Sequence, residues 1–416
     1  MKLSDVADVL TVPGNPRVVA ISGSFLTPGS AIWFPLFPLY LLARGVSPIQ
    51  IGIVFAAGTA LTLLSSLAGG WAADRWGRKH VILLAGALSA TGMLVLAILT
   101  VPYFETAVAS YGLVMFGSGL GRGPMSALLY ESATKRKGAS QAAPYFLPSM
   151  AAIPMPFIGA LMVAHLGLPA VFATGAALTG VAVALRALGL TDSHPGRSTT
   201  SATTAAHTPK LLRWELLAGP IAGITLLYAI LAFSSAAYSP FMPLFFTQVL
   251  GSSVAFFGLL ASIGLGIAGV LSFSSGWMVD RLGSLRTMGW SFVGEAFFVT
   301  GLVLVRNLIL AGILYESWDA VDWLDQMAPA VFIGDKVDGS RRATAMSIFT
   351  FATSVPRVFA AGFGGVLFEW NPYSLLVLEA ILSVACAIAV FEYLAHVRVA
   401  DSVPGALKAE STTKVR

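Results

Sequence analysis

This sequence has little charge. Only 11% of its 416 residues are Asp, Glu, Lys or Arg, against about a quarter in soluble domains. So few charges cannot cover a water-soluble chain of this length, and lipid must face much of its surface. Cysteine is nearly absent as well. Cys386, inside an apolar run, is the single one, which excludes a disulfide framework or a thiolate metal site within the chain. The five histidines lack metal-ligand spacing, so neither a metal nor another cofactor is expected. Also missing are a G-x-x-x-x-G-K-S/T phosphate loop, an H-E-x-x-H pair and a G-x-S-x-G elbow, which ATP hydrolysis or membrane-enzyme chemistry would call for. The N-terminus, MKLSDVADVLTVPGNPR, has no cleavable-signal pattern, so the first apolar stretch is expected to act as an uncleaved insertion signal.

What is present is apolar sequence: 56% hydrophobic residues and a mean hydropathy of +0.80. Apolar runs punctuated by turn residues and charges predict spans at 18–43, 49–72, 80–101, 108–131, 141–165, 168–190, 216–248, 253–279, 287–305, 308–333, 343–368 and 373–396. Each has the roughly 20 residues that one crossing requires. The expected fold is all-α, with twelve transmembrane helices. A net charge of +5 and a pI near 9.3 would suit nucleic acid, but the basic residues cluster in short gaps, such as Arg75, Arg78 and Lys79 or Lys135, Arg136 and Lys137. Lys- and Arg-rich short loops stay cytoplasmic. With both termini inside, only Arg44 and Arg306 fall outside and only Arg122 and Arg357 well within spans, Arg186 near the end of the sixth span being counted with the cytoplasmic edge. The excess is therefore topological, and no nucleic-acid partner is expected.

Residues 191–213 are Ser/Thr-rich and lack hydrophobic periodicity, which suits a flexible linker. The division expected is a six-helix bundle over 1–190, a cytoplasmic linker over 191–213, a second six-helix bundle over 214–399 and a cytoplasmic tail over 400–416. An internal repeat agrees. A shift of 206 residues aligns Gly45, Gly52 and Gly58 with Gly251, Gly258 and Gly264. The same shift aligns Gly70, Trp71, Asp74, Arg75 and Gly77 with Gly276, Trp277, Asp280, Arg281 and Gly283. A shift of 205 lays Pro35-x-x-Pro38 on Pro240-x-x-Pro243. Parallel repeats of six helices are a transporter architecture.

Gly70 is read as allowing the second helix to approach a neighbour, and Gly77 as the tight turn after it. Asp74 is read as a hydrogen-bond acceptor near the N-terminus of a facing helix. The run Gly70-Trp-Ala-Ala-Asp74-Arg75-Trp-Gly77-Arg78-Lys79 resembles the signature loop of the major facilitator superfamily, G-x-x-x-D-R-x-G-R-R/K. The fourth span, with Gly117, Gly119, Gly121 and Gly123 before Glu131, is similar to the family's glycine-rich helix and its terminal acid. The resemblance implies a major facilitator fold of two pseudo-symmetric bundles. It also implies a latch in which Glu131 partners Arg75 and Asp335 partners Arg281, with Arg78 and Asp280 as further members. The second copy of the loop, Gly283-Ser284-Leu285-Arg286, lacks the paired basic residues. Met115 stands where many proton-coupled members carry an arginine, and the antiporter signature of the fifth helix is reduced to Pro156-Phe-Ile-Gly159-Ala160. The first two helices, with Pro35-Leu-Phe-Pro38-Leu-Tyr40 and then Gly52, look like those of the drug:proton antiporter branch.

Ionisable residues inside spans are costly and by default mark substrate or proton pathways. Arg122, Glu295 and Arg357 qualify. So do Glu316, Asp319, Asp322 and Asp325, which recur every three residues in the tenth span. Four carboxylates there cannot all be ionised and unpaired. They form either a cation or proton site or a structural set of ion pairs between the halves, with Arg122 and Arg357 as partners, or the helix lies partly outside the membrane. Trp318 and Trp323 either line a cavity or pack. The function expected is alternating-access transport of a small solute by a monomer in the cell membrane. Proton coupling and efflux of drug-like or cationic compounds are expected; sugar or organic-ion uptake is the alternative, and a membrane enzyme or channel the reading from another class.

Overall fold

The computed structural model describes residues 14–98, 103–132, 137–192, 220–325, 327–337 and 342–402. Within them the chain forms twelve successive helical rods. In lipid a backbone can satisfy its own N–H and C=O groups only as a helix or a closed barrel, and apolar runs of this length take the helical route. The first half comprises α1 (Asn15–Ala43), α2 (Pro48–Trp76), α3 (Arg78–Ile98), α4 (Tyr103–Ser132), α5 (Lys137–Ala152 and Met155–Leu166) and α6 (Leu168–Gly189). The second comprises α7 (Pro220–Tyr238, extended through a π-helical turn at Phe245–Val249), α8 (Val254–Leu282), α9 (Ser284–Leu304), α10 (Leu308–Asp325 and Ala328–Lys336), α11 (Arg342–Trp370) and α12 (Ser374–Ser402). Ten of these are long and apolar enough to cross a membrane by length and composition. The other two are α4, diluted by glycine and serine, and α10, with four acids in its first piece. The tenth span, expected unbroken over 308–333, divides near Met327 ahead of Pro329.

The repeat in the sequence is a repeat of local geometry. Gly45 and Gly251 both take positive φ, 80° and 70°, as do Gly77 and Gly283, 88° and 82°. Ser47 and Ser253 then cap α2 and α8, each accepting a backbone N–H three residues on. The prolines at 35 and 240 sit in 3₁₀ turns at Phe34–Leu36 and Ser239–Phe241. A proline ring removes an N–H and clashes with the preceding turn, so both first helices tighten at the same register.

Glycines decide where rods touch, because without a hydrophobic drive between helices in lipid close backbone approach supplies the attraction. Gly69 on α2 lies against the carbonyl of Leu120 on α4, and Gly119 answers it against Thr62 and Ser65. Gly70, expected to make this contact, faces open space; Gly69, one residue earlier, points the other way round the helix. The two halves meet along two seams. Gly52 on α2 lies on the Ala361 carbonyl of α11, and a Cβ at Gly365 would come 2.6 Å from the Pro48 oxygen. On the other side Gly258 on α8 packs on Pro156 and Ala160 of α5, and the Phe157 N–H donates to Ser262 Oγ at 3.0 Å.

The two seams between the halves lie toward the end remote from the Asp-Arg motifs. One hydrophobic core, including Trp33, Phe37 and Tyr111 from the first half and Phe241, Phe246 and Trp318 from the second, closes that far end. Toward the motif end the core divides into clusters that each belong to one half. Gly276 and Gly283 have nothing within 4 Å of a built Cβ there, and Trp71, Trp76 and Trp277 are exposed. The conformation is closed at the far end and open at the motif end.

The two turn glycines supply a graded test. Any side chain at Gly283 meets only backbone strain, about 1–3 kcal/mol for so rare a φ/ψ region. At Gly77 the added carbon would also strike the Asp192 carboxylate. Gly283→Ala should lower the melting temperature of the purified protein, and Gly77→Ala should lower it more. Equal losses would mean that the Asp192 contact contributes nothing.

Candidate substrate cavity

Each half encloses a cavity. That of the second half measures about 200 Å³ and is lined by Tyr228 and Tyr238 of α7, Glu295 of α9, Asp322 of α10, Arg357 of α11 and Glu379 of α12. Glu295 and Glu379 are each 3% exposed. Between them stands Ser383, whose hydroxyl is 3.3 Å from Glu295 Oε2 and 3.4 Å from Glu379 Oε1. A serine hydroxyl carries one hydrogen and can donate to one of them at a time. The second contact becomes a hydrogen bond only when the other carboxyl is protonated and donates to Ser383 Oγ. The chain Glu295–Ser383–Glu379 is therefore complete with one added proton.

The cavity of the first half measures about 350 Å³ and has the opposite charge. Arg122 of α4 and Arg186 of α6 line it beside Ser30, Trp33 and Tyr145, and no acid among the described residues does. Arg186 is 7% exposed, and its Nε donates to Ser22 Oγ of α1 at 3.1 Å. Arg122 is exposed within the opening.

The acids of α10 part company. A three-residue step turns a helix by about −60°, so a stripe written at that spacing winds around the rod. Asp322 reaches the cavity. Glu316 and Asp319 instead face α8, where a Cβ at Gly264 would lie 3.0 and 3.6 Å from their oxygens. Both oxygens of Glu316 are buried without a hydrogen-bond partner among the described residues. Asp325 ends the first piece of α10, and its side chain lies outside the described residues. Trp318 is 2% exposed and packs on Tyr238 at 4.4 Å between ring centroids, so it is a core residue.

At the motif end, Glu131 pairs with Arg78 rather than with Arg75. Arg75 lies over the Trp71 ring, 5.8 Å from its centroid, and Asp74 is exposed. Asp280 is exposed too, Arg281 covers Trp277 at 4.3 Å, and Asp335 makes no ion pair with Arg281 within 4 Å. The acceptor at a helix N-terminus is Asp192 instead, which takes the N–H groups of Arg78 and Lys79 at 3.1 and 3.4 Å. Opening at this end parts the halves, and each motif arginine then finds partners inside its own half.

A sequence model of the Major Facilitator Superfamily matches residues 19–315 and 224–414. The chain belongs to this superfamily. Solved structures agree in fold. A point-mutant form of the nucleoside transporter NupG superposes with a TM-score of 0.77 at 17% identity, over 91% of this chain and 99% of that one. A D-xylose-proton symporter gives 0.71 at 14% identity, over 90% and 96%. A bacterial homolog of the human lysosomal transporter Spinster, inward-facing and occupied, gives 0.72 at 13%, over 90% and 95%. No curated protein matches in sequence. This Major Facilitator Superfamily member is thus a multi-pass secondary transporter.

Three charged residues escaped the sequence reading. Glu379 carried the same signal as Glu295, a lone acid in an apolar span. Arg186 was assigned to the cytoplasmic edge because it stands three residues from the end of α6, yet its side chain runs inward. Asp192 had no local signal, since its partners lie more than a hundred residues earlier. The Arg78–Glu131 pair can be checked by a double-mutant cycle on thermal stability. Arg78→Gln and Glu131→Gln should couple by about 0.5–1 kcal/mol for so partly exposed a pair, while Arg75→Gln and Glu131→Gln should be additive. The reverse pattern would restore the Arg75 assignment.

Proposed function

We propose that the chain moves a small polar solute by alternating access, coupled to protons, with the motif end facing the cytoplasm. The basic loops support that orientation, since Lys and Arg cluster at the motif end. The two halves, 1–190 and 214–399, rock about the far-end seams. In the opposite state the latch residues Asp74, Arg75, Glu131, Asp280, Arg281 and Asp335 come together across the motif end. Solute occupies the space between the two cavities near the bilayer midplane, with Asp322, Arg122 and Arg357 reaching it.

The observation that carries proton coupling is the Glu295–Ser383–Glu379 chain, which needs one proton to make both hydrogen bonds. With that proton the pair is stable in a dry cavity. Without it two buried carboxylates repel, and cationic solute or water must replace the lost bond. A cationic group on the solute would suit the three acids, which favours export of cationic compounds over sugar uptake. Asp319 and Asp322 of the tenth-span stripe rank behind this pair because one faces α8 and the other stands apart from Ser383.

In proteoliposomes, Glu295→Gln and Glu379→Gln should each abolish accumulation driven by a pH gradient and spare exchange down a solute gradient, with melting temperatures near wild type. If both variants keep full pH-driven transport, the pair is not the proton site, and Asp322→Asn becomes the informative variant. Orientation is tested separately. A cysteine at Thr199, in the linker outside the described residues, in a Cys386→Ser background, should resist impermeant thiol reagents applied to intact cells. Ready labelling from outside would reverse the orientation.

A further inference from the structure

The cavity of the first half contains two cations and, among the described residues, no anion of the protein's own. No carboxylate lies within 4 Å of Arg122 or Arg186 among the described residues. Neither arginine is simply a cytoplasmic-edge charge reaching for water. Side chains on a helix lean toward its N-terminus. Both α4 and α6 begin at the far end, so both arginines lean into the protein. Arg186 bears this out by reaching Ser22, about two turns into α1 from the motif end. Its Nε is used there, and the two terminal nitrogens remain to meet the cavity.

A guanidinium this buried costs several kcal/mol unless an anion joins it. Its planar fork is the geometry that takes a carboxylate or phosphate through two parallel hydrogen bonds. The second half offers the complement, three carboxylates and one arginine. Two halves of opposite charge that enclose one solute select a molecule with both signs. We propose that the cavity of α1, α4 and α6 is an anion subsite. The transported solute is then amphoteric: its acidic group is held by Arg122 and Arg186, and its cationic group faces Glu295, Asp322 and Glu379. This rests on the transport reading above and names its substrate class.

The test titrates the purified full chain in detergent, at low chloride, with benzoate, benzylamine and 4-(aminomethyl)benzoate, reading apparent Kd from the melting-temperature shift. Benzoate should stabilise the wild type saturably. Arg186→Gln and Arg122→Gln should each weaken it at least about tenfold, the loss expected for a charge-assisted pair, and Arg186→Lys should recover part. The amphoteric probe should bind more tightly than benzoate to the wild type and lose that advantage in Glu379→Gln. Absence of benzoate binding to the wild type, or equal binding to the arginine variants, would overturn the subsite. Should Arg186→Gln fail to fold, Arg122→Gln, at an exposed position, decides. Phosphatidylglycerol in mixed micelles is the lipid arm: stabilisation by it and not by benzoate would make the anion a headgroup and sink the soluble substrate. The two readings fail separately. pH-driven flux without benzoate binding leaves the transporter standing and removes the anion subsite; benzoate binding without flux does the reverse.

Discussion

Everything in this protein follows from the cost of leaving a polar group unpaired where there is no water. The backbone meets that cost by becoming twelve helices, and the rods meet it at their ends with serine caps, glycine turns and the Asp192 carboxylate on the first N–H groups of α3. What remains are the side-chain charges inside the spans. Glu316 and Asp319 face α8; the others described gather in two cavities, one with Arg122 and Arg186, the other with Glu295, Asp322, Arg357 and Glu379. A lipid-facing charge would be expelled; a charge facing a cavity can be solvated, paired by solute or protonated. The same constraint thus builds the fold and leaves the chemistry where a solute can reach it.

Mobility has a physical basis in the same residues. The halves touch through small-residue seams at the far end, Gly52 and Gly365 on one side and Gly258 on the other. Such contacts are close and largely apolar, so they can slide or part without breaking ion pairs. At the motif end the first-half ion pairs found, Arg78–Glu131 and the His80–Asp192 contact, stay within that half. Packed interfaces of this kind are bistable rather than continuously deformable, which suits a molecule that opens first to one side and then to the other.

How far the site could be read from the chain alone varied with how local its cause was. Gly77 announced a turn because glycine readily takes such backbone angles, and the structure has it at positive φ, as it has its repeat partner Gly283 and the pair Gly45 and Gly251. Isolated acids in apolar spans announced cavities, and Glu295 and Asp322 line one. The spacing of Glu316, Asp319, Asp322 and Asp325 was visible but ambiguous, because a three-residue stripe winds around a helix. Only the neighbours say which members point inward. Gly69 and Gly70 differ by a fraction of a helical turn, and Arg75 and Arg78 stand on either side of the Gly77 turn, one near the end of α2 and the other opening α3, distinctions that composition does not encode.

The sequence by itself determined the medium, the helix count and the two-fold repeat, because hydropathy, turn glycines and a 206-residue identity are properties of the chain read in order. Tertiary structure decided which charges meet. Ser383 bridges Glu295 and Glu379 because α9 packs on α12, and Arg186 reaches Ser22 because α6 packs on α1. Glu379 and Ser383 stand four residues apart on one helix, but Glu295 and Ser22 reach their partners only by packing between distant segments, and that distance along the chain hides them from any local reading.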